Sequence, residues 1–137
     1  MSDPVHTSIA VFAHNEADGI AACLDSVYRG SPPRPFRIHV LANGCTDGTE
    51  SLVEAYARAR PEVRLHSIAL GDKSNAWNVY VHDVADTAAV HCFVDGDVRV
   101  EPGSIGALAQ ALAATPGSNA AAALPAAGRN VVAFTRE

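Results

Sequence analysis

Short apolar runs alternate with amphipathic segments along most of the chain. Four apolar runs have the length of buried strands, at residues 8–13, 36–41, 63–68 and 88–94. Apolar side chains recur every three or four residues in four other segments, which predicts helices over residues 16–28, after Asp47, from Lys73 to Val84 and after Pro102. Two weaker extended runs, at residues 119–124 and 131–135, complete the pattern.

This alternation predicts an α/β domain. Strands that are separated by helices pair in parallel through right-handed crossovers, and the helices then cover both faces of the sheet. The chain has 137 residues, enough for one domain with a single core. We therefore predict one domain with a mostly parallel sheet between two helical layers.

The unusual polar clusters of the chain follow the predicted strands. They lie at residues 13–16, 42–47, 71–75 and 95–97. Ligands of such sheets bind outside the carboxyl ends of the strands, and all four clusters fall there. We therefore expect these clusters to build one binding site.

The cluster after the fourth strand, Asp95, Gly96 and Asp97, carries the strongest chemistry. Side chains two residues apart in a strand point the same way, so the two carboxylates would lie close together and repel each other. That repulsion is roughly 4 kcal/mol at ~4 Å with an effective dielectric of about 20, and a divalent cation would turn it into attraction. Gly96 lets a backbone or ligand come close. The pattern favours a metal site, and a solvated turn is the alternative.

The clusters after the first two strands offer groups for a nucleoside. His14, Asn15 and Glu16 can line a pocket for a base or ribose, because Asn offers both a donor and an acceptor. The alternative is a loop in which Asn15 caps the next helix and Glu16 favours its dipole. Asn43 points toward a base edge or ribose if the sheet binds a nucleotide. Asp47 is predicted instead to cap the second helix with its carboxylate.

Lys73 opens the third helix, where a cation opposes the helix dipole by about 0.3–1 kcal/mol. An anion would reverse this penalty, so Lys73 and free N–H groups predict a phosphate contact. Capping of the helix by Asp72 or Ser74 is the alternative. Trp77 is predicted to pack in the core. Core or surface positions without a functional role are predicted for His39, His66, His82 and His91.

Composition narrows the class of protein. A formal net charge of −5 without a Lys/Arg cluster argues against a nucleic-acid partner. The three cysteines, Cys23, Cys45 and Cys92, have neither a disulfide nor a zinc spacing, which favours a reducing compartment. No apolar stretch reaches the ~18 residues of a transmembrane helix, and the first eight residues do not resemble a signal peptide. We expect a cytoplasmic protein, or one peripheral to a membrane.

The polar clusters together resemble the family 2 glycosyltransferases, which transfer a sugar from a nucleotide diphosphate. The matching segments, in order, are VFAHNE at residues 11–16, CLDSV at 23–27, NGCTDGT at 43–49, GDK at 71–73 and DGD at 95–97. The resemblance covers nearly the whole chain. It implies a Rossmann-like, three-layer α/β/α fold of the nucleotide-diphospho-sugar transferase type.

The resemblance also implies roles for individual residues. Asp97 would be the direct ligand of Mg²⁺ or Mn²⁺, and Asp95 would contact the ribose or a metal-bound water. Lys73 would lie near the base or the phosphates. The nucleoside would be held by Ala13, His14, Asn15, Glu16 and Asn43. Such a metal uses one or two protein carboxylates with substrate phosphates, and it stabilises the departing diphosphate.

Two departures from the family pattern matter. The family often has two acids after the second strand, where this chain has Ala42 and Asn43, so a usual acidic contact to uracil is missing. Inverting transfer also needs a carboxylate base, which the family takes from the region after the metal motif. Only Glu101 and Glu137 follow Asp97 here. We expect residues 1–137 to be the donor-binding part of a glycosyltransferase, with the acceptor-binding half absent and the catalytic base unassigned.

Three functions remain open at this point. The first is metal-dependent binding of a nucleotide-diphosphate sugar and transfer to an unknown acceptor, with this chain alone expected to be incomplete and to transfer slowly or not at all. The second is a non-catalytic nucleotide-binding or assembly module with the same fold. The third is a haloacid-dehalogenase-like phosphatase, in which Asp95 and Asp97 would belong to the aspartyl-phosphate loop. That loop normally follows the first strand of its domain. An incomplete sheet would expose an edge, so homo-oligomers are a further expectation.

Overall fold

The computed structural model describes residues 5–31, 35–122 and 131–135. For residues 131–135 it describes the backbone only. Glu137, which the sequence offers as one of two downstream acids, lies outside these ranges, as do residues 123 and 124 of the predicted extended run. Of the helices that are described, none combines the length and the apolar character needed to cross a lipid bilayer.

In the described residues, six strands and four α-helices alternate much as the pattern predicts. The strands are β1 (Thr7–Ala13), β2 (Phe36–Asn43), β3 (Val63–Ile68), β4 (Val90–Asp95), β5 (Ala120–Ala122) and β6 (Val131–Thr135). The helices are α1 (Ile20–Gly30), α2 (Thr49–Arg58), α3 (Lys73–Val79) and α4 (Ser104–Ala114). A π-helical turn, Tyr80–Val84, continues α3.

The strands form one sheet in the order β3-β2-β1-β4-β6-β5. The first four are parallel, β6 runs antiparallel to β4, and β5 runs antiparallel to β6. The predicted mostly parallel sheet with flanking helices is therefore confirmed. The chain moves outward from β1 to β3 and then crosses back to β4, so the strand order reverses between β1 and β4. At such a reversal the flanking loops diverge and leave a crevice.

The larger core fills one face of the sheet. Helices α1, α2 and α4 lie on this face and bury Leu24, Val53 and Ile105 against strand residues such as Ile9 and Val11. All five side chains are fully buried. Each such aliphatic side chain contributes about 1.5–3 kcal/mol relative to an exposed one. This face gives the β1 and β4 ends a rigid base.

The opposite face carries an aromatic cluster beneath α3. The Trp77 ring stacks on Phe93 with ring centroids 3.8 Å apart and on Phe12 at 5.4 Å. The Tyr80 ring meets Phe93 edge to face at 5.4 Å. Aromatic contacts of this kind add about 0.5–1.5 kcal/mol each beyond their buried area. The packing agrees with the prediction for Trp77, and it fixes α3 over the ends of β1 and β4.

Two element boundaries near the site differ from the sequence pattern. Helix α1 begins at Ile20 and not at Glu16, because residues 17–19 form turns before it, and the N–H groups of Glu16 and Ala17 bond to side chains near the start of α2. Strand β2 continues to Asn43, because it pairs with β1 up to Ala42 and with β3 up to Asn43 itself. The predicted helix boundary was therefore wrong, and Asn43 belongs to the sheet and not to the loop.

Asp86 lies at the centre of a buried polar network that the sequence did not reveal. Its carboxylate accepts hydrogen bonds from Arg37 (2.6 Å), His39 (2.7 Å) and Ser8 (3.0 Å). Burial alone would raise the pKa of Asp86, but these hydrogen bonds outweigh it and hold the pKa well below its usual range. The network ties the segment after α3 to β1 and β2. His39 therefore has a specific structural role, which is to bond to Asp86, and is more than the core position that the sequence predicts.

The network extends from His39 to His66, whose Nε2 lies 2.9 Å from Nδ1 of His39. Because a carboxylate can only accept, Nε2 of His39 carries the hydrogen toward Asp86, and Nδ1 of a neutral His39 then accepts from His66. Burial, followed by the neighbouring His39, lowers the pKa of His66 to about 4. His66 is therefore neutral in the folded protein at pH values where a free imidazole takes up a proton.

We expect acid to destabilise the fold through His66. Between pH 6.5 and 4 the unfolded chain protonates this residue and the folded protein does not, so the free energy of unfolding falls as the pH falls. The contribution is below about 1.4 kcal/mol per pH unit, because the side chain is half exposed. In urea unfolding across this range, His66→Gln should show a shallower pH dependence than the unchanged protein. Equal slopes would show that His66 is not the group responsible.

Candidate functional site

A cleft of about 190 Å³ opens where the strand order reverses, at the carboxyl ends of β1, β2 and β4. It is lined by Phe12, His14, Glu16, Asn43, Lys73, Asp95, Gly96 and Asp97. All four polar clusters thus contribute to one end of the sheet. Of the residues predicted to form the site, only Ala13 and Asn15 do not line the cleft.

Asp95 and Asp97 reach the cleft through a turn and not along a strand. Asp95 is the last residue of β4 and lies beside Phe12 of β1, while the N–H of Val98 donates to the Asp95 carbonyl at 3.0 Å. The expectation that both carboxylates extend from one strand was therefore wrong in its geometry. Asp95 is half-buried and Asp97 is exposed, so both are open to a ligand.

Gly96 allows this turn to sit directly on the end of β1. Its N–H donates to the carbonyl of Phe12 at 2.7 Å. A Cβ at this position would lie 2.8 Å from that carbonyl oxygen and 3.2 Å from the Cα of Ala13. Ala13 is fully buried at this contact, so it shapes the site from below without reaching the cleft.

Lys73 forms an ion pair with Asp95 across the cleft, and both side chains are about half exposed. Its ammonium lies 5.9 Å from the centroid of the Phe12 ring. Helix α3 is capped by Asp72, which accepts from the N–H groups of Ser74 (2.8 Å) and Asn75 (3.3 Å). The predicted site of free N–H groups is thus wrong, because Asp72 already uses them. Of the groups predicted to contact an anion here, the Lys73 ammonium is therefore the one that can do so.

Asn15 and Asp47 join the loops that follow β1 and β2. Asn15, with a φ of 50°, accepts hydrogen bonds at Oδ1 from the N–H groups of Thr46 (2.8 Å) and Asp47 (3.3 Å). Asp47 accepts from the N–H groups of Thr49 (2.9 Å) and Ala17 (3.2 Å), and the bonds from Thr49 lower the pKa of Asp47. Asp47 thus bonds to backbone N–H groups as predicted, but the predicted cap position was wrong, because Gly48 is the N-cap residue of α2. Asn15 shapes the loop instead of facing the cleft.

His14 and Asn43 occupy the side of the cleft near β2. Nδ1 of His14 lies 2.7 Å from the backbone carbonyl oxygen of Asn43. The side-chain amide of Asn43 donates to the carbonyl of Ala13 at 3.1 Å, and Asn43 is almost fully buried. These bonds hold the ends of β1 and β2 together while both side chains line the cleft.

The donor set in this cleft fits a hard divalent cation that is shared with a ligand. Among the residues that the structure describes, no group of three or more His, Cys, Asp or Glu side chains forms a complete metal site. Two carboxylates are enough for Mg²⁺ or Mn²⁺ when phosphates supply the other oxygens. The ammonium of Lys73 shows that Asp95 can hold a positive charge here.

Glu101 lies outside the cleft, whereas Phe12 and Gly96 line it. Glu101 is exposed and does not line the cleft, so the structure assigns it no part in this site. Phe12 and Gly96 also line the cleft, and although Phe12 lies in the matching segment at residues 11–16, the sequence assigned it no role in the site. The sequence signal for Phe12 was the two-residue period of β1, which places Phe12 on the same face of the sheet as Ser8.

Solved structures of similar fold are sugar-nucleotide enzymes. The mannosyltransferase PcManGT from Pyrobaculum calidifontis, in complex with GDP-Man and Mn²⁺, matches with a TM-score of 0.82 and 21% identity over 98% of this chain and 46% of its own. TarS from S. aureus in complex with UDP matches with a TM-score of 0.69 and 21% identity over 84% and 34% of the two chains. This chain thus spans less than half the length of either structure.

A third similar structure is glucosyl-3-phosphoglycerate synthase from Mycobacterium tuberculosis, in complex with Mn²⁺, UDP and glucosyl-3-phosphoglycerate. It matches with a TM-score of 0.66 and 22% identity over 85% of this chain and 42% of its own. No curated protein sequence matches the chain. These likenesses establish the fold of the nucleotide-diphospho-sugar transferases.

The family follows from the sequence itself. The model of the glycosyl transferase family 2 matches residues 8–137, which include every strand and helix described above except the first residue of β1. The matched range also includes every residue that lines the cleft. This chain belongs to glycosyl transferase family 2.

Proposed function

We propose that this chain binds a nucleotide-diphosphate sugar together with Mg²⁺ or Mn²⁺ and forms the donor-binding part of a glycosyltransferase. The observation that carries the proposal is the meeting of Asp95, Asp97 and Lys73 in one cleft at the reversal of the strand order. Two similar structures hold Mn²⁺ with a nucleotide or nucleotide sugar, GDP-Man in one and UDP in the other. They support a donor of this class.

The charged residues of the cleft have different proposed roles. Asp97 is the proposed metal ligand, and Asp95 is the second carboxylate, placed to contact the ribose or a metal-bound water. A bound cation would neutralise the diphosphate as it leaves. Lys73 is held by Asp95 through an exposed ion pair, which stabilises by about 1 kcal/mol or less, so its ammonium is free to move to a phosphate oxygen.

The nucleoside is proposed to contact His14, Glu16 and Asn43. These residues line the cleft together with Phe12, whose ring offers an apolar surface 5.9 Å from the Lys73 ammonium. Ala13 and Asn15 would act indirectly, Ala13 by packing against Gly96 and Asn15 by fixing the loop of residues 14–16 against the loop before α2. The acceptor and the catalytic base are not assigned to any described residue.

Calorimetric titration with UDP and GDP tests the proposal. We expect binding in Mn²⁺ or Mg²⁺ and loss of most affinity in EDTA, because the metal links the carboxylates to the diphosphate. Metal-independent binding would contradict the metal role, and absence of binding by either nucleotide would contradict the proposal as a whole. Binding without sugar transfer, even after a downstream acceptor region is added, would favour a non-catalytic module.

Lys73→Met should weaken the binding of diphosphates and leave that of the free nucleosides unchanged. The change removes a cation that the proposal places against phosphate oxygens, and charged hydrogen bonds contribute about 1.5–3 kcal/mol. We expect UDP or GDP affinity to fall roughly tenfold in calorimetry, since 1.4 kcal/mol is a factor of ten. Lys73→Arg is the matched control and should retain most of the affinity. Equal weakening for uridine or guanosine would place Lys73 at the base.

The proposal extends to the location and assembly of the protein. A cytoplasmic or membrane-peripheral protein agrees with the three cysteines, which have no disulfide partner among the described residues. Homo-oligomers are proposed because β3 and β5 are the edges of the sheet. Light scattering of the purified chain would decide the second point, and a monomer at all concentrations would contradict it.

A further inference from the structure

His14 has a defined hydrogen-bonding character in this cleft. Its Nδ1 lies 2.7 Å from a backbone carbonyl oxygen, that of Asn43, and a carbonyl oxygen can only accept. Nδ1 must therefore carry the hydrogen. A neutral imidazole has one N–H, so Nε2 of His14 is left with a lone pair and acts as an acceptor. No described residue donates a hydrogen bond to this Nε2, and the His14 side chain is exposed.

Two glycines form the floor beneath the His14 ring. Gly44 has a φ of +60°, and a Cβ there would lie 2.5 Å from the Cα of Gly71. Cε1 of His14 is 3.5 Å from where a Cβ would stand on either glycine. The loops after β2 and β3 therefore meet without side chains, and the ring lies over them. The bond to Asn43 and this contact together fix which nitrogen of His14 remains open to a ligand.

Asn43 adds a second acceptor on the same side. Its side-chain nitrogen donates to the carbonyl of Ala13, which leaves Oδ1 as the polar atom of this side chain without a partner among the described residues. Both His14 and Asn43 line the cleft. The cleft thus offers hydrogen-bond acceptors from His14 and Asn43 in addition to the cation Lys73. A nucleotide whose phosphates lie near Lys73 would present its base to the acceptors.

We propose that His14 selects the base of the donor nucleotide by accepting a hydrogen bond at Nε2 from a ring N–H. Uracil has such a group at N3 and guanine at N1. Cytosine and adenine carry a lone pair at the corresponding ring position, which would face the lone pair of His14. The inference rests on the proposed function and narrows it to donors built on uridine or guanosine diphosphate. Asn43 assists by accepting from a neighbouring N–H where the base has one.

Matched pairs of nucleotides test the inference without any sugar. UDP and CDP differ only in the donor and acceptor pattern of the pyrimidine, and GDP and ADP provide the purine comparison. By calorimetry with Mn²⁺, we expect UDP to bind about tenfold more tightly than CDP, and GDP more tightly than ADP. His14→Phe should reduce the UDP to CDP ratio to about twofold or less. His82→Phe, at an exposed histidine of the π-helical turn, is the control and should keep the ratio.

The outcomes separate this inference from the proposed function. If none of the four nucleotides binds, the proposed function fails and the inference fails with it. If all four bind with equal affinity, if CDP binds more tightly than UDP, or if His14→Phe leaves the ratio unchanged, the inference is overturned while the proposed function stands.

A second measurement does not depend on a folded variant. Nitrogen-15 NMR of the unchanged protein reports which ring nitrogen of His14 carries the hydrogen. We expect a protonated Nδ1 and an unprotonated Nε2, with the Nε2 resonance shifted by UDP and not by CDP. A hydrogen on Nε2 of the neutral ring would overturn the inference.

Discussion

Asp97→Asn is expected to remove the metal-dependent part of nucleotide binding. The substitution keeps the size of the side chain and removes the charge of one of the three carboxylates that line the cleft, those of Glu16, Asp95 and Asp97. Because Asp97 is exposed at a turn and lines the cleft with Asp95, the change should not disturb the fold. We expect affinity for UDP or GDP in Mn²⁺ to fall on the order of 100-fold, which corresponds to about 2.7 kcal/mol. Affinity in EDTA should stay as it is in the unchanged protein.

Two other aspartates complete this experiment. Asp83→Asn, at an exposed position in the π-helical turn, makes the same chemical change outside the cleft and should leave binding unchanged. Asp95→Asn should have a smaller effect than Asp97→Asn, because Asp95 is proposed to contact the metal through water. Calorimetry gives all three affinities. Undiminished Mn²⁺-dependent binding by Asp97→Asn would show that the ion is held elsewhere.

Gly44→Ala is expected to have the largest effect on stability. Gly44 has a φ of +60°, and an added Cβ would lie 2.5 Å from the Cα of Gly71 and 2.8 Å from its backbone nitrogen. Strain at a left-handed position costs about 1–3 kcal/mol, and an overlap with a neighbouring backbone costs about 1–3 kcal/mol more. We expect the free energy of unfolding to fall by about 3 kcal/mol. Urea or thermal unfolding measures the change.

Gly48→Ala is the matched control for this prediction. A Cβ at Gly48 would meet no atom within 4 Å, and the residue has a φ of −83° that any residue adopts. This variant should unfold within about 0.5 kcal/mol of the unchanged protein. Equal stability of the Gly44 and Gly48 variants would mean that the loops after β2 and β3 do not approach each other as described.

The sequence predicted the elements of the fold because apolar periodicity reports which face of an element is buried. It placed the four parallel strands, the helices between them and the edge at which their polar clusters meet. It misplaced the start of α1, since periodicity shows neither the turns at residues 17–19 nor the bonds from the N–H groups of Glu16 and Ala17 to side chains before α2. Such bonds join elements that are about thirty residues apart in the chain, and no local pattern reports them.

The buried polar network illustrates the same limit on the opposite face of the sheet. Ser8 and His39 each alternate with apolar residues in a different strand, so their common face was visible in the sequence. Their contacts were not, because these depend on strand order and register. The position of Asp86 after the π-helical turn decides that Ser8 and His39 share one carboxylate. Sequence reasoning therefore classed His39 as an ordinary core position.

For the candidate site, the sequence predicted which residues meet but not the hydrogen bonds and ion pairs among them. The rule that ligands bind at the carboxyl ends of parallel strands brought His14, Asn43, Lys73 and Asp97 together correctly. It could not show that Asn15 bonds to the neighbouring loop, that Asp72 uses the N–H groups at the start of α3, or that Lys73 pairs with Asp95. These details depend on distances between loops, which only the structure supplies.

Paramagnetic NMR with Mn²⁺ tests the central claim most directly, since the ion broadens the signals of nearby nuclei. In the presence of UDP or GDP, substoichiometric Mn²⁺ should first remove the amide signals of Gly96, Asp97 and Val98. Signals from Arg37 and Asp86, in the network on the sheet beneath α3, should persist. Loss of signal centred on the network, or uniform loss that the nucleotide does not focus, would contradict a metal site between Asp97 and the diphosphate.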